Sequence, residues 1–208
     1  MARVVNIHPE TPQPRLLIQA AEMIRHGAVL ALPTDSCYAL GCHLGDREAL
    51  DRIRQLRMID DRHHLTLMVR DLSEIATYAR VDNSQYRLLK ATTPGSYTFI
   101  LEATKELPRR VAHPKRKTIG LRVPNHPVAL ALLEELNEPL LTTTLQLPGD
   151  EAPLTEGWEI QDRLDDHLEL ILDAGHCGIE PTTIIDLTGS SPVLVRAGRG
   201  PLAPFGLG

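Results

Sequence analysis

Aromatic residues, cysteines and long apolar runs are all scarce in this 208-residue sequence. Only 3% of the residues are aromatic, although 42% are hydrophobic, so a globular core must be built mainly from Leu, Ile, Val and Ala. No stretch approaches the roughly 20 consecutive apolar residues that span a bilayer. The segment MARVVNIHPETPQPR carries Pro and charge where a signal peptide has an apolar centre. We therefore expect a cytoplasmic protein without a membrane partner.

Common metal and nucleotide motifs are also missing. Cys37, Cys42 and Cys177 form neither a CxxC pair nor a Cys/His ligand spacing. The adjacent His63 and His64 would point in different directions on a regular element and make a poor metal pair. There is no GxxxxGK[ST] loop, GxGxxG turn, HExxH helix or GxSxG elbow. The sequence predicts reduced thiols and no metal site, and it disfavours P-loop, Rossmann and common hydrolase chemistry.

Charge is unevenly distributed along the chain. The net charge of −5 disfavours a generic nucleic-acid binder, but residues 105–122 contain seven Lys or Arg and one acid, whereas residues 134–173 contain twelve acids and one Arg. One face could therefore carry a positive potential on an acidic molecule. The candidate RNA-binding residues are Arg109, Arg110, Lys115, Arg116 and Lys117. The alternative is a pair of solvated surfaces, and nothing indicates DNA specificity.

Apolar periodicity predicts an alternation of helices and strands. PRLLIQAAEMIRHG favours a helix that stops at Gly27, AVLAL favours a buried strand, and Asp46 can cap a helix to about Leu56. Further helices are predicted in HPVALALLEEL and TEGWEIQDRLDDHL, and further strands in LTLMV, YTFILE, TIGLRV, LELIL, TTIIDL and PVLVR. No repeat or linker divides the chain. We expect a single α/β domain over residues 1–208.

Segments rich in hydroxyl groups and Arg accompany the predicted strands. They are ALPTDSCYALG, the TxxxR of TIGLRVP, the TTT after PLL, PTTIIDL and VRAG. We expect each to lie at a strand end, where ligands gather in open α/β sheets. Hydroxyls, backbone N–H groups and Arg suit a carboxylate or a phosphate. These residues alone predict an α/β domain that binds a small anion.

The same segments, in the same order, resemble the YrdC/YciO family. GAVLALPTDSCYALG is similar to the family's PT[DE][ST]xYxLG signature, PGSYTFIL to PGxxTxIL, and TIGLRVPNHP to TxGxRxPxHP. PLLTTTLQLPG stands where PxxxTSANxSG is expected, and DAGHCG, PTTIIDL and VRAG follow. The resemblance covers about residues 27–198. It implies a twisted, open, mixed sheet with flanking helices around a concave basic cavity.

The resemblance also implies an activity and a set of site residues. Family members described as threonylcarbamoyl-AMP synthases combine L-threonine, bicarbonate and ATP with Mg²⁺, release pyrophosphate, and supply the modification of adenosine 37 in tRNA. No tightly bound cofactor is implied. By resemblance, Ser36, Arg122, Thr142 and Thr182 would surround threonine, and Arg57, Thr118, Thr144 and Arg196 would line the nucleotide site.

Two parts of the nucleotide motifs depart from the synthase pattern. Synthases carry KxRPxxxPL where this chain has Arg57, Ile59 and Asp60, so one cation is missing and an acid is added. The family's S-x-N triplet becomes Thr144, Leu145 and Gln146. Losing a cation at a charged transition state costs about 2–4 kcal/mol. These changes are similar to the YciO branch and predict weak or altered synthesis.

Two functions remain open from the sequence. The first is an ATP- or AMP-binding threonylcarbamoyl-AMP synthase-like enzyme that relies on positioning and electrostatics, since no residue stands out as nucleophile or general base. The alternative is a double-stranded RNA- or tRNA-binding protein without synthase activity. The basic run lacks aromatic residues for stacking on single strands, so shape-based recognition of folded RNA would be expected.

Overall fold

A ten-stranded mixed β-sheet runs through the molecule, and the computed structural model describes residues 1–208. The strands are β1 (Arg3–Asn6), β2 (Leu30–Leu32), β3 (Ala39–His43), β4 (Thr66–Met68), β5 (Tyr97–Glu102), β6 (Thr118–Arg122), β7 (Leu140–Thr144), β8 (Leu170–Asp173), β9 (Thr183–Asp186) and β10 (Val193–Arg196). Their order in the sheet is β1-β8-β2-β3-β7-β4-β6-β5-β9-β10. The sheet contains parallel pairs such as β4 with β6 and antiparallel pairs such as β6 with β5. The predicted α/β fold with a mixed sheet is confirmed.

Six helices connect and flank these strands. They are α1 (Pro14–Arg25), α2 (Arg47–Arg57), α3 (Leu72–Tyr78), α4 (Asn83–Thr92), α5 (Pro127–Leu136) and α6 (Gly157–Leu164), followed by a short 3-10 turn at Ala203–Phe205. The Asp46 carboxylate accepts a hydrogen bond from the Ala49 amide at 2.9 Å, which confirms the predicted cap of α2. None of the helices combines the length and the apolar character needed to cross a bilayer.

Five elements were not predicted: the strands β1, β3 and β7 and the helices α3 and α4. The strand β1 is half-exposed, and β3 directly follows the PTDSCY segment, which resembles a loop. The helix α3 is seven residues long and buries only Ile75, so it has little apolar periodicity. The helix α4 is marked by a capping box between Asp82 and Gln85.

The two faces of the sheet are covered differently. One face packs against α2, α3, α4 and α6 in a core of 35 buried residues. On the opposite face, α1 and α5 cover β8, β2, β3 and β7 in a second core of 17 buried residues. Beyond Met68, that second face carries mainly small or polar side chains along β4, β6 and β5, together with Ile100 and Ile184. This part of the sheet forms the floor of a cavity.

Candidate anion- and amino-acid-binding site

The cavity has a volume of about 390 Å³ and a predominantly polar lining. Three of its 16 lining residues are hydrophobic. The lining comprises Arg57, Arg62, His63, His64, Thr66, Thr98, Ile100, Gly120, Thr143, Thr144, Gln146, Pro181, Thr182, Ile184, Val195 and Arg196. Because it contains several cations and hydroxyl groups but no Asp or Glu, the cavity suits an anionic ligand.

The alternation of side chains along the strands builds the cavity floor. Thr98 and Ile100 of β5 face the cavity, whereas Phe99 between them is fully buried in the larger core. The TxxxR and TTT segments lie within β6 and β7, not beyond their ends. Arg122 and Thr144 are nevertheless the last residues of β6 and β7, so both segments reach a strand end as expected. The site occupies the face of the sheet and not only its edge.

Gly120 keeps the middle of this floor open. A Cβ atom at this position would lie 3.1 Å from Thr98 Cγ2 and 3.4 Å from the Leu65 carbonyl oxygen. Those distances leave little room for any side chain above β6. Glycine is favoured here by the close approach of these neighbours and not by its backbone angles, since Gly120 is not among the positive-φ residues.

A buried ion pair lies at the inner end of the site. Arg122 is only 5% exposed, and its Nη2 atom donates to the Asp35 carboxylate, which also accepts from Ser96 Oγ at 2.8 Å. Its Nη1 atom donates to Ser36 Oγ at 3.1 Å. Burial lowers the pKa of the Arg122 guanidinium, and the charge of Asp35 opposes this change. The group stays charged because a carboxylate accompanies it.

The Nε atom of Arg122 is also buried, but it has no hydrogen-bond partner within the protein. A buried donor without an acceptor costs about 1–3 kcal/mol. An oxygen atom from a bound molecule or from water would remove this penalty. Arg122 is therefore a preorganised cation with unused hydrogen-bonding capacity.

The four residues predicted to surround threonine come together around this guanidinium. Ser36, Arg122, Thr142 and Thr182 all line a pocket of about 30 Å³. Thr182 also lines the large cavity, and its hydroxyl lies 2.8 Å from Thr98 Oγ1. The small pocket thus adjoins the inner side of the large cavity.

Three of the four residues predicted for the nucleotide line the large cavity. Arg57, at the end of α2, donates to the backbone carbonyl of Gln146, and Arg196 donates to the Thr182 carbonyl at 2.8 Å. Thr144 lies on the wall beside them. Thr118 does not line the cavity, because its hydroxyl lies 2.8 Å from His64 Nε2, and it is the imidazole that faces the cavity.

The segment between α2 and β4 places its charges differently from the expectation based on the family motif. Ile59 packs against the larger core. The Asp60 carboxylate accepts a hydrogen bond from the Arg62 amide at 2.9 Å and does not line the cavity. Arg62, three residues after the expected cation, does line it. The cavity thus contains a guanidinium that the motif comparison did not reveal.

His63 and His64 were predicted to make a poor metal pair, and both line the cavity. Burial lowers the pKa of each imidazole, and the neighbouring His113 and Arg116 lower that of His64 further. No group of three or more His, Cys, Asp or Glu side chains in the chain is arranged to hold a metal ion. Both imidazoles are therefore part of the cavity wall.

The basic segment lies outside the cavity. Leu107 and Val111 anchor it to the larger core, and His113 reaches the cavity rim, where its ring centroid is 5.1 Å from that of His64. Arg110 donates to the Gly45 carbonyl at 2.8 Å. Arg109, Lys115, Arg116 and Lys117 are exposed, and their side chains have no hydrogen-bond or ion-pair partner in the protein. None of the five RNA-binding candidates lines the cavity.

Thr66, Thr98 and Thr143 line the cavity but were not among the predicted site residues, whereas Gln146 was noted as a departure from the family's S-x-N triplet. Thr98 had a usable signal, because it alternates with Tyr97 and Phe99 along a predicted strand. Gln146 donates from Nε2 to the Asp150 carbonyl at 2.9 Å, so its amide is partly engaged by the following loop. That contact is invisible in the sequence.

The sequence and the fold both match a known protein family. The sequence model of the Sua5/YciO/YrdC family, which carries the description "Telomere recombination", matches residues 22–198. The chain belongs to the Sua5/YciO/YrdC family. It is 53% identical to the YciO protein of Escherichia coli over 99% of this chain and 100% of that protein. The crystal structure of E. coli YciO superposes with a TM-score of 0.95 over the same shares of the two chains.

Family members with a named activity are more distant. A threonylcarbamoyl-AMP synthase of Pyrococcus abyssi is 29% identical over 97% of this chain, which spans 59% of that protein's length. The crystal structure of P. abyssi Sua5 in complex with L-threonine has a TM-score of 0.89 at 27% identity, covering 97% of this chain and 59% of that one. The family thus includes threonylcarbamoyl-AMP synthases and YciO proteins, and this chain is more similar to the YciO proteins.

Proposed function

We propose that this protein binds L-threonine around Arg122 and ATP in the adjoining cavity, and forms threonylcarbamoyl-AMP with weak or altered activity. In this reaction the threonine amine and bicarbonate form a carbamate and release water. A carbamate oxygen then bonds to the α-phosphorus of ATP, and the bond to the β-phosphate oxygen breaks to release pyrophosphate. Each atom of the three substrates is accounted for in these products.

The observation that carries this function is the buried, preorganised Arg122. Its guanidinium has a buried donor without a protein acceptor and lies beside the Ser36 hydroxyl. A carboxylate accepts hydrogen bonds from such a cation strongly. Because a related structure is a complex with L-threonine, an amino-acid carboxylate is the ligand that we assign to this pocket.

The large cavity has the character needed for a triphosphate. Arg57, Arg62 and Arg196 contribute positive charge, and no carboxylate opposes it. Without an acidic lining residue the protein offers Mg²⁺ no favourable ligand, so the ion would enter bound to the phosphates of ATP. The protein would contribute positioning and charge stabilisation, not a nucleophile.

Pyrophosphate release at high enzyme concentration tests this function. We expect release that requires L-threonine, bicarbonate and ATP together, and that is lost when Ser36→Ala removes the hydroxyl beside Arg122. The matched control is Ser73→Ala, which removes an exposed hydroxyl remote from the cavity. Release that persists without threonine, or no release from any mixture, contradicts the synthase function.

One observation favours a second candidate function, the binding of folded RNA. Arg109, Lys115, Arg116 and Lys117 form an exposed cluster without partners in the protein. If these four bind phosphates, replacing all four by Ala should reduce RNA affinity and lower the log–log salt slope by about one unit per lost contact. Unchanged RNA retention and salt slope would exclude this surface.

A further inference from the structure

The altered segment after α2 leaves one cavity cation without a protein acceptor. Arg57 donates to the Gln146 carbonyl, and Arg196 donates to the Thr182 carbonyl. The side chain of Arg62 makes no hydrogen bond or ion pair, although it lines the same cavity. Arg62 is therefore the guanidinium most available to a ligand.

The local backbone holds Arg62 at this position. Ile59 is packed against the core, and the Asp60 side chain closes a turn by accepting the Arg62 amide hydrogen. Asp60 thus stabilises the turn that presents the cation. Compared with the synthase motif, this chain therefore lacks the cation at position 59 and carries one three residues later, at Arg62.

The two pockets define a direction for a bound triphosphate, on the basis of the proposed function. Threonine at Arg122 must place its carbamate next to the α-phosphate at the buried end of the cavity. The departing pyrophosphate must then point away from Arg122, toward solvent. Arg62 is exposed, whereas Arg122 is buried, so Arg62 lies on the side toward which the β- and γ-phosphates would extend.

We infer that Arg62 binds the β- and γ-phosphates of the nucleotide and replaces the cation that the synthase motif carries at position 59. A guanidinium can donate two parallel hydrogen bonds to phosphate oxygens, which a Gln side chain cannot reproduce. Arg62 is a binding residue in this assignment. It should affect the affinity for polyphosphates more than the affinity for adenosine monophosphate.

Titration calorimetry with ATP, AMP and inorganic tripolyphosphate tests this role. We expect Arg62→Gln to weaken ATP and tripolyphosphate binding about tenfold, the range of one charge-assisted hydrogen bond, and to change AMP binding less than twofold. Arg62→Lys should restore part of the loss. Arg47→Gln is the matched control, because it removes the same charge from an exposed position on α2 outside the cavity.

The outcomes separate this role from the proposed function. Equal ATP affinity in Arg62→Gln and Arg47→Gln, or an equal loss for ATP and AMP, overturns the role of Arg62 while synthesis can still stand. If the wild-type protein binds ATP through Arg62 but releases no pyrophosphate with L-threonine and bicarbonate, the role of Arg62 stands and the synthase function fails. If the protein binds neither tripolyphosphate nor ATP, both the role of Arg62 and the proposed function are overturned.

Discussion

Replacing Arg122 by Gln should destabilise the protein strongly, because it leaves Asp35 buried without its cation. The two side chains of this pair are 6% and 10% exposed. Removing one partner of a buried ion pair costs about 3–5 kcal/mol. For a domain of this size each kcal/mol lowers the melting temperature by about 2–4 °C, so we expect a fall of about 6–20 °C.

A double-mutant cycle shows whether the loss comes from the pair. Asp35→Asn should also destabilise the protein, whereas the double variant contains two neutral partners. Its loss should therefore fall short of the sum of the single losses by about 1–3 kcal/mol. Urea unfolding of the four proteins at neutral pH gives the free energies of unfolding.

A surface ion pair provides the control for this cycle. Arg163 Nη1 and Asp150 Oδ2 lie 2.6 Å apart, and the two side chains are 37% and 21% exposed. Arg163→Gln should cost at most about 1 kcal/mol. If Arg122→Gln costs no more than Arg163→Gln, or if the double variant is additive, then Arg122 is not a preorganised buried cation.

Three further predictions follow from other parts of the structure. Burial lowers the pKa of His64 below 6.5, so the unfolded state binds more protons and the free energy of unfolding should fall as pH drops below about 6.5. In His64→Gln, the free energy of unfolding in urea should vary less between about pH 7.5 and 5.5. The same pH dependence in the variant and the wild type contradicts this. Gly120→Val should weaken ligand binding and lower the free energy of unfolding by about 1–3 kcal/mol, because it overfills the cavity floor. Gly189→Ala, where the added Cβ would have its nearest neighbour at 3.9 Å, should leave binding unchanged in the same calorimetry. Unchanged binding by both variants would show that the space above Gly120 is not needed for the ligand. Asp82→Ala should cost about 0.5–2 kcal/mol in thermal unfolding by removing the capping box of α4, and a loss below this range would show that the cap contributes little.

Much of the fold could be predicted because local signals and burial agree. In α1, apolar periodicity and the initial Pro14 point to the same helix, and Leu17, Ala20 and Ile24 are indeed buried. The helix α3 escaped prediction because tertiary contacts of Ile75 support it more than its own pattern does. The strand β3 was not predicted, because its short, mixed sequence carries little pattern and its pairing with β2 and β7 is visible only in the structure.

The candidate site was only partly predictable, because adjacency in space depends on the sheet. The motifs identified Ser36, Arg122, Thr142 and Thr182, which the structure brings together in one pocket. They did not reveal that Asp35 pairs with Arg122.

The nucleotide side shows the same limit. The motifs misplaced Thr118 relative to the cavity, because the His64 imidazole comes between them. They also overlooked Arg62, because its position depends on a turn closed by Asp60 and not on a fixed spacing from Arg57.

A crystal structure with L-threonine and a non-hydrolysable ATP analogue would test the proposed function most directly. The threonine carboxylate should lie within about 3 Å of the Arg122 guanidinium, with the triphosphate between Arg57, Arg196 and Arg62. Threonine and nucleotide bound away from these residues, or an empty cavity at saturating ligand concentration, would contradict the account.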